Sequence, residues 1–350
     1  MTIRKVERSV ALGLILAVNI ALLAPSPAAA KRTCMGRRAT LVGSRRAERI
    51  IGTPRNDVIV ALAGADEIYA RGGNDLVCGG GGRDVVLGEE DADRLDGGPG
   101  IDFLFGGGGN DKLELGGGLV NGGDGGDGDD SIVGNDLLRG IDLAGFSQSS
   151  DAVTVDLQAG TATGNGRDTL EEIEGAVGTP KADTLLGDAG TNVLFGGSGN
   201  DSIDGRGNLG NTDSPLAEEG DLLYGDGISD EPPGNDTLTG GSGLNIAVFA
   251  YSEAPVQVDL GTGTATGEGV DTLNEIQFVM GSRFDDTLRG DDGDNGFDPY
   301  LGNDTIDGGE GEDVLALLAP SGVTASLETG IATANGERDT FSAIENLWGS

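Results

Sequence analysis

Aspartates recur at a strict nine-residue spacing near the start of this chain: Asp57, Asp66, Asp75, Asp84, Asp93, Asp102 and Asp111. Two places after each stands an aliphatic residue: Ile59, Ile68, Val77, Val86, Leu95, Leu104 and Leu113. Glycines fill much of the space between them, as in GGGGNDKLE at 106–114. Glycine adopts backbone conformations closed to other residues, so it lets the chain turn tightly and brings carbonyl oxygens together. Carboxylates and carbonyls together form the all-oxygen ligand set of a hard divalent cation.

The same placement returns further along. Asp130 lies in GGDGDDSIV at 125–133, and Asp183 and Asp201 lie in a second run. Asp221 and Asp236 head degenerate copies, and Asp286, Asp304 and Asp313 belong to a third run. Asn192, Asn245 and Asn295 occupy the aspartate place in three copies, and Gly88-Glu89-Glu90 lacks the glycine pair. Losing a charge or a glycine weakens coordination, so these copies are expected to be structural.

Other chemistry finds little support. The chain has no histidine, which excludes an HExxH zinc site and any Ser-His or Cys-His triad. No G-x-S-x-G elbow or G-K-[ST] phosphate loop occurs. Aspartate runs at 124–130 and 291–294 misplace the glycine and terminal glutamate of an EF-hand. Among so many aspartates no glycosidase pair stands out. The aromatics Tyr69, Phe103, Phe105, Tyr224, Tyr251 and Trp348 look scattered, which argues against a sugar-stacking face. The protein is expected not to be an enzyme.

The elements that carry these residues must be short strands and tight turns, because 66 glycines in 350 residues are too costly for helices. Between the nonapeptide runs a longer unit occurs three times, at 153–179, 256–282 and 323–350. Each opens with a period-2 strand pattern, turns at glycine and ends in Gly-Thr or Gly-Ser. The organisation read from these patterns is a signal peptide at 1–30, a basic leader or cap at 31–51 and a first array at 52–146. An inter-array β unit at 147–177, a second array at 178–250 and another β unit at 251–280 follow. A third array at 281–316 and an incomplete terminal β unit at 317–350 complete it.

The motif G-G-x-G-x-D-x-U-x, with U a large aliphatic, resembles the RTX, or haemolysin-type, calcium-binding repeat. The resemblance covers most of residues 52–350. It implies an all-β fold, a parallel β-roll or β-solenoid, with multiple Ca2+ ions between turns stacked on one side. Two nonapeptides then make one coil, so Asp57, Asp75, Asp93 and Asp111 share one edge and Asp66, Asp84 and Asp102 the other. Carboxylates one strand spacing apart, about 4.8 Å, repel unless a cation lies between them. The chain without calcium is therefore expected to be largely disordered and to fold on binding.

Charge agrees with a cation partner. The chain carries −37 overall, yet residues 31–55 hold eight Lys/Arg and one Glu, while residues from 56 onward hold 11 basic and 57 acidic. Such a body repels nucleic acid and anionic lipid. Arg4, Lys5 and Arg8, an apolar stretch at 10–24 and small residues up to Ala30 read as a secretory signal with no membrane span after its removal. Many RTX proteins resemble type I secretion substrates without such a signal, so the general secretory route is a departure from that pattern. Cys34 and Cys78 are the only cysteines. In a secreted chain they are expected to pair. The rival reading, a lipid-modified Cys34, sits poorly with Lys31-Arg32-Thr33 before it.

The expected function is that of a secreted calcium-binding structural or adhesive protein acting on a cell envelope or extracellular polymer. The alternative is a β-helical carbohydrate-active enzyme, or a fragment of an exported toxin or enzyme that keeps only its repeats.

Overall fold

The computed structural model describes residues 33–135, 140–207, 220–226, 232–318, 322–334 and 336–349. The expected signal peptide at 1–30 lies outside them. No helix occurs among the described residues. The chain divides into two compact units, Met1–Thr179 and Pro180–Ser350.

In the first unit each nonapeptide gives one turn and one three- to six-residue strand, and successive strands alternate between two parallel ladders. One ladder runs through Leu41–Val42, Val58–Val60, Leu76–Cys78, Arg94–Asp96, Lys112–Glu114, Ser131–Val133 and Arg167–Glu171. The other runs through Arg49–Ile51, Glu67–Gly72, Val85–Glu90, Phe103–Gly108, Val120–Asp127, Ile141–Gly145 and Gly175–Val177. Residues 41–51 of the basic leader thus supply the first rung of both ladders. Alternation along a strand sends every second side chain inward. The inward columns are Leu41, Ile59, Val77, Leu95, Leu113, Ile132 and Leu170 on one face, and Ile50, Ile68, Val86 and Leu104 on the other. All seven aliphatics of the first nonapeptide run, Ile59 to Leu113, are fully buried.

The second column continues through Gly123, which has no side chain to contribute. A Cβ there would lie 2.7 Å from the Leu115 side chain. Leu115, fully buried, leans into the space and keeps the core continuous. This coil is the imperfect one at 115–124, and the core tolerates it by exchanging which residue fills the layer.

The second unit repeats the plan with interruptions. Leu185, Ile203, Leu238 and Leu273 form one inward column. Leu194, Leu223, Ala247, Val279, Phe297, Leu315 and Leu347 form the opposite one. The longer unit at 256–282 is a three-stranded antiparallel meander, Gln257–Asp259, Thr264–Gly267 and Gly269–Asn274, set into the ladder. Two reversals restore the strand direction. Its last strand therefore closes the preceding column at Leu273, and its first strand opens a new one, Val258, Leu288, Ile306 and Phe341.

The turns impose one backbone demand with particular force. Place two of the nonapeptide is left-handed, as at Gly98 with φ 88°. The same conformation is forced on Leu62 (φ 88°), Arg71 (φ 84°) and Glu89 (φ 78°) where glycine is missing. The Gly88-Glu89-Glu90 copy therefore keeps the regular turn despite its sequence.

Candidate metal centres

Each turn delivers its place-six residue to the edge between the two ladders, and these residues are linked coil to coil. The Asp57 N–H donates to Asp75 Oδ1 at 2.6 Å, Asp75 to Asp93 at 2.7 Å, Asp93 to Asp111 at 2.7 Å, Asp111 to Asp130 at 2.7 Å and Asp130 to Asp168 at 3.0 Å. On the other edge Asp66 donates to Asp84 at 2.8 Å, Asp84 to Asp102 at 2.9 Å and Asp102 to Asn121 Oδ1 at 3.0 Å. In the second unit Asp183, Asp201, Asp236 and Asp271 are joined in this way, as are Asp286, Asp304 and Asp339. The opposite edge there carries Asn192, Asp221, Asn245 and Gln277, then Asn295, Asp313 and Glu345.

The aspartates singled out from the nonapeptide spacing all stand in these rows. The spacing missed Asn121, Asp168, Asp271, Gln277, Asp339 and Glu345. A weaker signal was present: Asp168, Asp271 and Asp339 each open Asp-Thr-Leu or Asp-Thr-Phe, the D-x-U fragment without its glycines.

The inter-coil bond satisfies one carboxylate oxygen and leaves the other. Among the described residues, Oδ2 of Asp66, Asp75, Asp84, Asp93, Asp102, Asp111, Asp130, Asp201, Asp221, Asp236 and Asp313 is buried with no hydrogen-bond partner. Asp124, outside the place-six rows, shares this property. The space beside these oxygens is cleared by the place-one glycine. A Cβ on Gly79 would lie 2.8 Å from Asp84 Oδ2 and 2.8 Å from the Gly97 carbonyl of the next coil. On Gly97 it would lie 2.7 Å from the Leu115 carbonyl and 2.9 Å from Asp102 Oδ2. Buried acceptors facing acceptors are unfavourable without a donor or cation among them. No three acidic side chains converge on one point among the described residues. A bound ion would therefore draw the rest of its ligands from backbone carbonyls, the mixed oxygen set suited to calcium.

Electrostatics point the same way. Burial, opposed by the Asp75 N–H and reinforced by the Asp75 and Asp111 carboxylates, pushes Asp93 up to about 8. Burial, with the Asp84 and Asp96 charges, takes Asp102 to about 8. Burial likewise raises Asp201 to about 8 and Asp84 to about 6. These carboxyls resist ionisation because nothing nearby compensates their charge.

Not every coil is orphaned. Asp57 Oδ2 accepts from the Thr53 N–H at 2.8 Å and the Thr53 hydroxyl at 2.8 Å. Asp286 is met by Ser282, whose N–H donates to Oδ2 at 2.5 Å and whose hydroxyl donates to Oδ1 at 2.7 Å. The Thr or Ser of these Gly-Thr and Gly-Ser pairs thus adds a hydroxyl donor that a place-two glycine lacks.

Two features lie outside the edges. Cys34 and Cys78 are joined by a disulfide, Cα to Cα 5.7 Å, tying the hairpin Thr33–Cys34 and Arg37–Arg38 to the third repeat. The aromatics are not scattered in the second unit. Phe195 and Tyr224 stack with centroids 4.1 Å apart, and Tyr224 and Tyr251 lie 5.9 Å apart. Insertions in the sequence hide this alignment, which the register of Phe195 with Tyr224 restores. Phe195 and Tyr224 are buried and face each other along the ladder, so their facing π-surfaces cover one another.

A two-ladder parallel β-solenoid whose edge carboxylates in many coils keep one buried oxygen without a donor defines a cation-binding repeat protein. The RTX calcium-binding nonapeptide repeat matches residues 51–86, 87–118, 177–208, 233–246, 276–299 and 300–317, so the chain carries RTX repeats in several copies. No curated protein matches the chain. Among solved structures, the extracellular lipase LipA from Serratia marcescens is 14% identical over 83% of this chain and 40% of the lipase, with a TM-score of 0.16. The chain spans well under half of that protein, and likeness at this level carries no argument about fold or activity.

Proposed function

We propose that this is a secreted calcium-binding solenoid whose fold is completed by the metal and which serves a structural or adhesive role outside the cell. The observation that carries the reading is the pairing of Asp84 Oδ2 with the Gly97 carbonyl around a space cleared by Gly79, with no donor between them. Repeated along the edges, this arrangement is unfavourable until a divalent cation turns mutual repulsion into shared coordination. A site held at 100 times its dissociation constant adds about 2.7 kcal/mol. A handful of such sites matches the roughly 5–15 kcal/mol stability of an ordinary domain.

Export is supported by the charged and then apolar N-terminal residues and by the disulfide, a bond favoured in oxidising compartments. The partner beyond calcium is read as a cell-envelope or extracellular polymer, and the role as non-catalytic, since the sequence offers metal-ligating carboxylates and no histidine. Far-ultraviolet circular dichroism in chelator and in millimolar calcium tests the core of the reading. At pH 8 a β-rich spectrum is expected only with calcium; the same spectrum in excess chelator at that pH would sink the proposal.

A further inference from the structure

The two edges of the second unit are not equivalent. Asp183, Asp201, Asp236 and Asp271 line one, while Asn192, Asp221, Asn245 and Gln277 line the other. The asparagines do more than dilute charge. Asn192 Nδ2, with two N–H donors, has four acceptors within reach: the carbonyls of Gly190 at 3.0 Å, Gly205 at 3.3 Å and Asp188 at 3.4 Å, and Asp221 Oδ1 at 2.8 Å. Its Oδ1 accepts from the Asp188 N–H at 3.0 Å, which fixes the orientation of the amide. Asn245 Nδ2 donates to the carbonyls of Gly241 at 3.1 Å and Glu275 at 3.3 Å, and its Oδ1 accepts from the Asp221 N–H at 3.2 Å.

The amide nitrogen stands where the orphaned oxygen stands elsewhere. A Cβ on Gly187 would lie 2.6 Å from Asn192 Nδ2 and 2.7 Å from the Gly205 carbonyl. The matching values around Gly79 are 2.8 Å to Asp84 Oδ2 and 2.8 Å to the Gly97 carbonyl. The geometry is shared and one atom differs. In the aspartate coil an acceptor faces acceptors; in the asparagine coil a donor faces them. An N–H in that position satisfies the carbonyls and presents positive hydrogen to any incoming cation.

We infer that Asn192 and Asn245 close their own coils with the side-chain amide in place of a metal, so that the second unit contains two calcium-independent coils, one on either side of the Asp221 coil, on the edge opposite a calcium-dependent row. This rests on the calcium reading above. In calcium-free conditions the two coils keep their inter-coil bonds while the aspartate coils lose theirs.

The test is the calcium stoichiometry of the full chain, counted by native mass spectrometry and by titration calorimetry. N192D and N245D are each expected to bind one more ion than wild type, and the double variant two more. D84N is expected to bind one fewer and to keep more β signal in chelator than wild type. If wild type binds calcium and N192D and N245D leave the count unchanged, the amide coils are not closed and the inference is overturned alone. If wild type binds no calcium, the calcium reading and the inference fall together. Should N192D or N245D fail to fold, D84N decides: loss of one ion supports closure by an amide, and an unchanged count overturns it.

Discussion

The backbone N–H of Asp84 donates to Oδ1 of Asp102 at 2.9 Å across one full coil, while Oδ2 of Asp102 is buried with no donor. One carboxylate therefore does two jobs. Its first oxygen holds the coils in register, and its second is left for a cation. This division explains why an acidic, glycine-rich chain can have a defined fold without a thick core.

Removing one such group should be felt twice. Asp93→Ala takes the acceptor from the Asp75 N–H and a ligand from its own turn. One fewer calcium ion should bind, and stability at saturating calcium should fall by about 3–5 kcal/mol, from a lost site plus a buried unpaired donor. Calorimetry for the count and denaturant unfolding for the stability check both parts.

Filling the cradle should remove an ion without removing a ligand. Gly97→Ala places a methyl group 2.7 Å from the Leu115 carbonyl and 2.9 Å from Asp102 Oδ2. The variant should bind one fewer ion while all carboxylates remain. An unchanged count would show that the metal lies elsewhere.

The metal-free coils should respond to pH in an acid-stabilised sense. Burial raises Asp93, Asp102, Asp201 and Asp304 from an ordinary 3.8 to about 8, and Asp84 and Asp111 to about 6. A folded-state value above the unfolded one means the folded coils hold protons more tightly. Their contribution is full below about pH 4 and disappears as pH rises through 6 to 8. In chelator the β signal should therefore grow on acidification from pH 8 to pH 4. Calcium must displace these protons, so its affinity should fall over the same window, with proton release on binding. Circular dichroism and titrations in buffers of different ionisation enthalpy measure both.

Relief of backbone strain offers a separate check on the turn. Glu89 is exposed and holds φ 78°, a left-handed conformation that glycine adopts freely. Glu89→Gly should stabilise the calcium-loaded first unit by about 1 kcal/mol, a rise of roughly 2–4 °C in Tm. A fall in Tm would mean that the glutamate side chain contributes more than its backbone costs.

Reduction of the disulfide should loosen the N-terminal hairpin and spare the metal rows. The bond closes a chain separation of 44 residues, worth about 4 kcal/mol in the chain-entropy model. Cys34→Ser should lower the thermal midpoint of the first unit while leaving its calcium count unchanged. A lower count would show that the hairpin also shapes the first metal sites.

Much of this was legible in the residues. The nine-residue period alone predicts that Ile59, Ile68, Val77, Val86, Leu95, Leu104 and Leu113 point inward, and all are fully buried. It predicts the same-edge partners too, since Asp57 to Asp75 and Asp66 to Asp84 are each bonded 18 residues apart. The phase carries that information because a side-chain direction repeats whenever the backbone conformation repeats.

Where the period breaks, the sequence ceases to be a ruler. Asp130 bonds to Asp168 over 38 residues and Asp201 to Asp236 over 35, across insertions whose path no local pattern specifies. Phe195 meets Tyr224 for the same reason. Nor could composition tell an orphaned Asp84 oxygen from the satisfied oxygens of Asp57, because the difference lies in whether Thr53 is close enough to donate. The sequence by itself determined the repeat, its inward column and the supply of oxygens. The tertiary structure decided which oxygen meets a donor and which is left facing another acceptor, because hydrogen bonding depends on ångström-scale proximity between coils rather than on position along the chain.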